Sequence, residues 1–113
     1  MKLPEEGMLL RVFIGETDKY QGKPLYEQIV LKARELNLAG ATVVRGIMGF
    51  GADSRMHTSK ILQLSNDLPI VIELVDVQEK IDRLLPFLDE TVTEGLITLE
   101  KVKVIKYRHS KQI

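Results

Sequence analysis

Apolar side chains recur along this chain with two alternating periods. Residues 8–15 show the two-residue period of a β-strand, and the polar run from Glu16 to Lys23 predicts a loop. Pro24 suits the first turn of a helix, and the apolar positions that follow it share one helical face: Leu25, Ile29, Ala33 and Leu36. Residues 41–48 predict a second strand, and the sequence PIVIELV of residues 69–75 predicts a third, because β-branched residues dominate it.

The remainder of the chain predicts one more helix and one more strand. Asp76 is the predicted N-cap, with Glu79 as its capping-box partner, and Pro86 should bend the helix. The apolar stripe of this helix consists of Val77, Ile81, Leu84, Leu85 and Leu88. Gly95 turns the chain into a strand over residues 96–105. The order β-α-β-β-α-β predicts one α+β domain spanning all 113 residues, a ferredoxin-like sandwich with a four-stranded antiparallel sheet and both helices on one face.

Two helices can cover only one face of such a sheet, yet two of the predicted strands are apolar on both faces. Leu9 and Phe13 lie on one side of the first strand, and Val71 and Val75 on one side of the third, with apolar residues opposite them. A solvated sheet face alternates to polar residues, and an open apolar patch on a small protein marks an interaction site. We therefore expect self-association through this face; cover by a bent helix or by the chain terminus is the alternative.

Composition and charge narrow the classes of function. Sixteen Lys and Arg balance sixteen Asp and Glu, which argues against electrostatic capture of nucleic acid or of an anionic membrane by the whole domain. Aromatic residues make up 5% of the chain, too few for the base-stacking platform of an RNA-recognition module. The absence of cysteine excludes disulfides, thiolate zinc sites and cysteine nucleophiles. With neither a signal-peptide pattern nor a long apolar run, we expect a cytoplasmic protein.

The stretch from Arg45 to Gly51 places three of the chain's eight glycines at the exit of a predicted strand. Glycine lets backbone N–H groups approach a ligand closely, so this stretch can cradle phosphate. Its G-x-x-G-x-G spacing is neither a P-loop nor a dinucleotide-binding fingerprint, and a plain turn with a bulge is the alternative interpretation. The connection from Gly49 to Ser59 is long for neighbouring strands, and we interpret it as a ligand-responsive loop.

Other candidate groups carry weaker signals. The basic residues near the C-terminus either neutralise phosphate or protect an edge strand from pairing: Lys101, Lys103, Lys106, Arg108 and Lys111. Glu16 and Asp18 either cap the turn that follows the first strand or bind a cation. His57 and His109 lack the spacing of metal ligands, and no nucleophile elbow is present, so we predict neither a metal site nor a catalytic residue.

Four short motifs, spread over most of the chain, carry a family resemblance. They are Gly15-Glu16 with Gly22-x-Pro24-Leu25-Tyr26-Glu27, then Ala39-Gly40-Ala41-Thr42-Val43-x-Arg45-Gly46-x-x-Gly49-Phe50-Gly51, Leu68-Pro69, and Gly95-Leu96-x-Thr98-Leu99-Glu100. Through them residues 9–107 resemble the PII-like signalling proteins, and more narrowly the branch known as domain of unknown function 190. Unlike a typical PII protein, the chain has no lysine in the segment from Thr91 to Gly95, just before its last strand.

The resemblance implies a homotrimer that is not an enzyme and that binds an adenine nucleotide (ATP, ADP or AMP) in clefts between subunits. The loop after the second strand would report occupancy to a regulated protein, such as an enzyme, a regulator or a membrane transporter. The residues implied at the site are Arg45, Gly46, Gly49, Phe50, Gly51, Arg55, Gly95, Lys106 and Arg108. A CutA-like trimer, structural or concerned with metal tolerance and without nucleotide, is the main alternative, and a small acyl-phosphate hydrolase is a third.

Overall fold

The computed structural model of this protein describes residues 6–51 and 67–108. Within these ranges the chain forms a four-stranded sheet, two helices and a two-stranded hairpin. In chain order the elements are β1 (Glu6–Gly15), β2 (Lys19–Tyr20), β3 (Lys23–Pro24), α1 (Leu25–Glu35), β4 (Thr42–Arg45), β5 (Pro69–Asp76), α2 (Gln78–Thr91) and β6 (Leu96–Lys103). No helix in the described part of the chain is long and apolar enough to cross a membrane.

The main sheet has the strand order β4-β5-β1-β6, and each neighbouring pair is antiparallel. Each helix joins two strands that are not neighbours, because α1 connects β1 to β4 and α2 connects β5 to β6. Both helices supply side chains to one core on one face of the sheet. The predicted ferredoxin-like arrangement is therefore confirmed.

The core lies between this covered face and the helices. The two central strands alternate buried and half-buried positions along their length, as expected when only one face is covered. The buried apolar residues, each at most 5% exposed, are Leu10, Val12, Ile14, Leu25, Ile29, Ala33, Ile70, Ile72, Leu74, Ile81, Leu84 and Leu88. Most positions of the two predicted helical stripes are in this set, which fixes both helices against β1 and β5. Leu36 and Leu85 are only partly buried against it, and Val77 is the half-buried N-cap residue of α2.

The opposite face of the sheet, here called the open face, is covered by neither of the two described helices. The register aligns Val71 with Phe13, and Phe13 with Leu96, so a row of apolar side chains crosses the strands at one end. The centre of the face is charged, because Arg11 donates to a carboxylate oxygen of Glu73 at 2.9 Å and to one of Glu100 at 2.8 Å. The two-sided apolar character predicted for β1 and β5 is confirmed, with a partly exposed ionic triad at its middle.

Three predicted boundaries need correction. The segment after β1 is not a plain loop, because β2 and β3 form a small hairpin beside α1. The second main strand covers only Thr42–Arg45, since the backbone beyond it turns around Pro69 instead of continuing along β5. The last strand ends at Lys103, two residues earlier than expected. Helix α2 continues through Pro86 without a break, although proline has no N–H to donate to the preceding turn.

Asp76 was expected to cap α2, and this prediction is wrong. The N-cap residue is Val77, with extended backbone dihedrals and no side-chain cap. The Asp76 side chain is fully buried instead, and its two carboxylate oxygens accept hydrogen bonds from the backbone N–H of Ala39 at 2.8 Å and of Val77 at 2.7 Å. It therefore ties the loop before β4 to the end of β5. Glu79 pairs with Arg83 at 3.5 Å and takes no part in a capping box.

Candidate functional site

The segment from Gly46 to Gly51, here called the glycine segment, leaves the sheet where β4 ends. The Gly46 N–H donates to the Pro69 carbonyl at 2.7 Å. A Cβ atom added to Gly46 would lie 2.7 Å from Cγ of Pro69, and one added to Gly49 would lie 3.0 Å from it. Only glycine lets the backbone wrap this closely around a rigid ring. Packing thus accounts for two of the three glycines, whereas a Cβ on Gly51 would meet nothing within 4 Å.

Between these glycines the side chains point into solvent. Ile47 is 95% exposed, Met48 82% and Phe50 72%. Three large apolar side chains exposed in one short segment are unusual on a small protein unless they meet a ligand or another chain. Phe50 was a predicted site residue, whereas nothing in the sequence pattern distinguished Ile47 and Met48 from buried strand residues.

Arg45, just before the glycine segment, forms an ion pair with Glu16. The Arg45 Nη2 atom lies 2.6 Å from a carboxylate oxygen of Glu16, whose side chain is only 24% exposed. The backbone of Glu16 is fixed as well, because its N–H donates to the Leu68 carbonyl at 2.8 Å. The arginine expected to contact phosphate or to hold the loop thus links the turn after β1 to the end of β4.

The acids of the turn after β1 are held by contacts within the chain, Glu16 by its ion pair and Asp18 by a hydrogen bond. A carboxylate oxygen of Asp18 accepts a hydrogen bond from the Gly15 N–H at 2.9 Å, which is the predicted capping role. The side chain of Asp67 accepts one from the Thr17 N–H at 3.0 Å. No group of three metal-ligating side chains exists among residues 6–51 and 67–108. His57 and His109 lie outside the described residues, as does the predicted site residue Arg55.

Gly95 lies at the same end of the sheet as the glycine segment, because β6 starts there beside the end of β1. Its φ of 154° is rarely adopted by other residues, and an added Cβ would lie 2.5 Å from the Phe13 carbonyl oxygen. Tight packing therefore demands glycine at this position. The structure thus gathers Arg45, the glycine segment and Gly95 at one end, here called the glycine end.

Lys106 and Arg108 lie at the other end of the sheet, beyond the last residue of β6. There Lys103 of β6 lies opposite Glu6 of β1 in the strand register. The chain then turns over the open face, and the Tyr107 hydroxyl donates to the Ala39 carbonyl at 3.4 Å. Both cations are exposed, and neither forms an ion pair with any residue the structure describes.

The returning tail encloses a groove of about 730 Å³ on the open face. Its floor is apolar apart from one carboxylate, that of Glu73, and the backbone before β4 forms one wall. The lining residues are Leu9, Ala39, Gly40, Ala41, Thr42, Glu73, Val75, Val102, Lys103, Val104, Ile105, Lys106 and Tyr107. The sequence signal for this wall was the Ala39–Thr42 motif, which carried the family resemblance but was given no role. Tyr107 and Glu73 had no such signal.

The described site residues therefore fall into two groups that one chain does not bring together. The glycine end offers backbone N–H groups, and the tail end offers free cations and an apolar groove. Because β1 runs the full length between them, from its pairing with Leu96 to its pairing with Lys103, the two groups lie at opposite ends of the sheet.

This fold is shared with solved PII-like proteins. A Thermus thermophilus protein described as a PII-like signalling protein superposes with a TM-score of 0.62 at 18% identity, covering 88% of this chain and 90% of that one. CPII of Thiomonas intermedia K12, a nitrogen regulatory PII-like protein solved with ADP, AMP and bicarbonate, gives a TM-score of 0.59 at 14% identity. That match covers 92% of this chain and 99% of CPII. At these identities the likeness shows the fold alone: a PII-like ferredoxin-type protein.

Sequence comparison identifies the family more narrowly. Residues 7–104 match the family model DUF190, described as "Uncharacterized ACR, COG1993". A UPF0166 protein of Aquifex aeolicus is 44% identical over 99 residues, which are 86% of this chain and 91% of the relative. A UPF0166 protein of Methanocaldococcus jannaschii is 36% identical over 99 residues, 87% of this chain and 91% of the relative. The chain belongs to the DUF190 family, and the predicted resemblance is confirmed.

Proposed function

We propose that this protein is a non-enzymatic, homotrimeric sensor of an adenine nucleotide, which binds in clefts between subunits. The observation that carries the proposal is the division of the candidate site between the two ends of the sheet. Among the residues that the structure describes, neither end alone offers both close backbone donors and free positive charge. A neighbouring copy that docks its tail end beside the glycine end would complete the site.

The open face supports association of identical chains. It carries exposed apolar side chains, among them Val44 and Leu96, beside Val71 and Phe13 of the two central strands. Such a face is unfavourable in water, and burial of apolar surface contributes roughly 25 cal/mol per Å². Closed assemblies of identical chains are the usual solution for soluble proteins.

The chemistry of the two ends supports an adenine nucleotide as the ligand. The N–H of Gly46, predicted to be a ligand donor, is already donated to the Pro69 carbonyl and fixes the segment instead. The backbone of Gly49 and Gly51, with the cations Lys106 and Arg108, suits phosphate oxygens. Phe50 and the apolar groove suit the flat face of a base. CPII, which has the same fold, is known in complexes with ADP and AMP. Here the nucleotide would act as an effector, and Arg45 and Arg55 would contact phosphate or hold the loop.

Nucleotide binding would regulate a partner protein, such as a membrane transporter, through the segment that follows β4. That segment begins with the exposed side chains of Ile47, Met48 and Phe50, which a partner could contact. A ligand changes the population of two loop states only by its difference in affinity for them. Partner binding and nucleotide binding should therefore alter each other's affinity.

Titration calorimetry of the purified protein with ATP, ADP, AMP and cyclic AMP tests this function, with GTP as the control for the base. We expect saturable binding of at least one adenine nucleotide, at one site per chain, by a protein that light scattering shows to be a trimer. A stable trimer that binds none of them would contradict the sensor and favour the CutA-like alternative. A stable monomer at micromolar concentration would contradict the proposed assembly.

A further inference from the structure

The charges at the glycine end affect how many phosphate groups a bound nucleotide can have. Arg45 directly precedes Gly46, but its guanidinium is already paired with Glu16 at 2.6 Å. The Glu16 carboxylate is about three-quarters shielded from water and is anchored by its own backbone hydrogen bond to Leu68. This pair is electrically neutral, so Arg45 offers little net positive charge to a phosphate while it stays paired.

Two further carboxylates lie at the same turn. Asp18 and Asp67 accept hydrogen bonds from backbone N–H groups, and neither pairs with a cation in the described part of the chain. The lysines nearest along the sequence, Lys19 and Lys23, belong to the hairpin that packs against α1. The described residues of the glycine end thus leave the surroundings of the glycine segment with an excess of negative charge.

We propose that Glu16 is a specificity determinant that makes the site prefer a nucleoside monophosphate to a triphosphate; this inference rests on the proposed function. The free cations of the tail end are Lys106 and Arg108, supplied by a neighbouring copy. They match one phosphate group, which carries about two negative charges at neutral pH. Each further phosphate adds negative charge beside Glu16, Asp18 and Asp67, and residues 6–51 and 67–108 place no further unpaired cation at this end to meet it.

Replacing Glu16 by glutamine tests this mechanism directly. Glu16→Gln removes one negative charge and frees Arg45 for a phosphate oxygen while keeping the size of the side chain. We expect the affinity for ATP to rise about tenfold relative to the affinity for AMP, the size of one ionic interaction at short range. Glu16→Asp keeps the charge and should keep the preference for AMP.

Glu79→Gln is the matched control. It also removes one acid and one ion pair with an arginine, at 3.5 Å, but on the outer surface of α2. Its ratio of ATP to AMP affinity should equal that of the parent protein. A change of the same size in this control would assign the effect to net charge alone and would overturn the role of Glu16.

The experiment is calorimetric titration of AMP, ADP and ATP into the parent and the three variants, in buffer with EDTA so that the phosphates keep their full charge. We expect the parent to bind AMP at least about tenfold more tightly than ATP. A parent that binds ATP as tightly as AMP, or an unchanged ratio in Glu16→Gln, would overturn this inference and leave the proposed function standing. Absence of binding by all three nucleotides would overturn both.

Discussion

The two faces of the sheet use the same strands for different purposes. On the covered face every apolar residue of β1 and β5 from Leu10 to Ile14 and from Ile70 to Leu74 is buried by the chain's own helices. On the open face the alternate residues of these strands are apolar on either side of the Arg11–Glu73 pair, yet no described element of the chain shields them to that degree. One face is thus completed by folding, and the other is the face on which we propose that a second copy docks.

The two faces of the sheet also differ in where their charged side chains lie. The covered face ends at Asp76, which is fully buried and has both carboxylate oxygens satisfied by backbone N–H groups. The open face carries its charges at the centre, where Arg11 bridges Glu73 and Glu100 while all three remain partly exposed. A buried carboxylate serves the fold of one chain, whereas a partly exposed triad can fix the register between chains.

The largest expected effect comes from placing a charge on each face in turn. Leu10 and Phe13 lie on the same strand, three residues apart, with their side chains on opposite faces. Leu10→Asp buries an unpaired carboxylate in the core and should cost about 4 kcal/mol or more, enough to unfold a domain of ordinary stability. Phe13→Asp should keep the fold and abolish assembly. Circular dichroism and light scattering separate the two outcomes.

These two variants can show that the open face is not an assembly surface, or that it belongs to the core of the single chain. If Phe13→Asp still forms the trimer, the open face is not the assembly surface. If Phe13→Asp unfolds as completely as Leu10→Asp, the open face belongs to the core of the single chain. Val71→Asp, at the position paired with Phe13, should reproduce the loss of assembly.

The next effect concerns the buried carboxylate on the covered face. Asp76→Ala leaves the N–H groups of Ala39 and Val77 without acceptors, and each orphaned donor costs about 1–3 kcal/mol. For the two donors together we expect a loss of about 2–6 kcal/mol in the free energy of unfolding, measured by urea titration. Asp82→Ala, an exposed acid on α2, is the control and should change stability by less than about 0.5 kcal/mol. Equal stability of the two variants would show that Asp76 does not hold the loop.

Most of the fold could be predicted from sequence because alternation and helical spacing report burial directly. The ferredoxin-like order, the core stripes and the two-sided strands all follow from such patterns. The shortening of β4 could not be predicted, since it depends on Gly46 and Gly49 packing against Pro69, a contact between residues distant in sequence. The role of Asp76 was hidden for a similar reason, because an acid before a helix has the pattern of an N-cap.

The candidate site was harder to predict than the fold. The glycine segment and the basic tail were both recognised from sequence, but nothing in their spacing placed them at opposite ends of one sheet. The ion pair between Arg45 and Glu16 could not be seen either, because it joins two turns through side chains. The groove under Tyr107 exists only because the tail folds back over the sheet.

A smaller effect is expected at the tail, where the open face meets the proposed ligand. Lys106→Gln combined with Arg108→Gln removes two charge-assisted contacts, and each is worth about 1.5–3 kcal/mol in a desolvated site. Even the lower value predicts a loss of at least about tenfold in affinity for ADP, with adenosine hardly affected. Lys101→Gln is the control, because its side chain lies on the helix side of β6, level with Met8. Equal ADP affinity in parent and double variant, by calorimetry, would remove both residues from the site and leave Arg45 and Arg55 as its cations.

The smallest effect on the single chain is expected at the centre of the open face. Arg11→Met removes the partner of Glu73 and Glu100, and while these carboxylates remain in contact with water the unfolding midpoint should hardly change. In an assembly that buries the triad, the same change leaves two acids unpaired, so association should weaken by about tenfold or more. Arg83→Met removes an ion pair with Glu79 on the outer surface of α2 and should alter neither property. Sedimentation at graded protein concentrations measures the association. If Arg11→Met associates as tightly as Arg83→Met, the triad stays in water in the assembly, and the apolar rows alone hold the copies together.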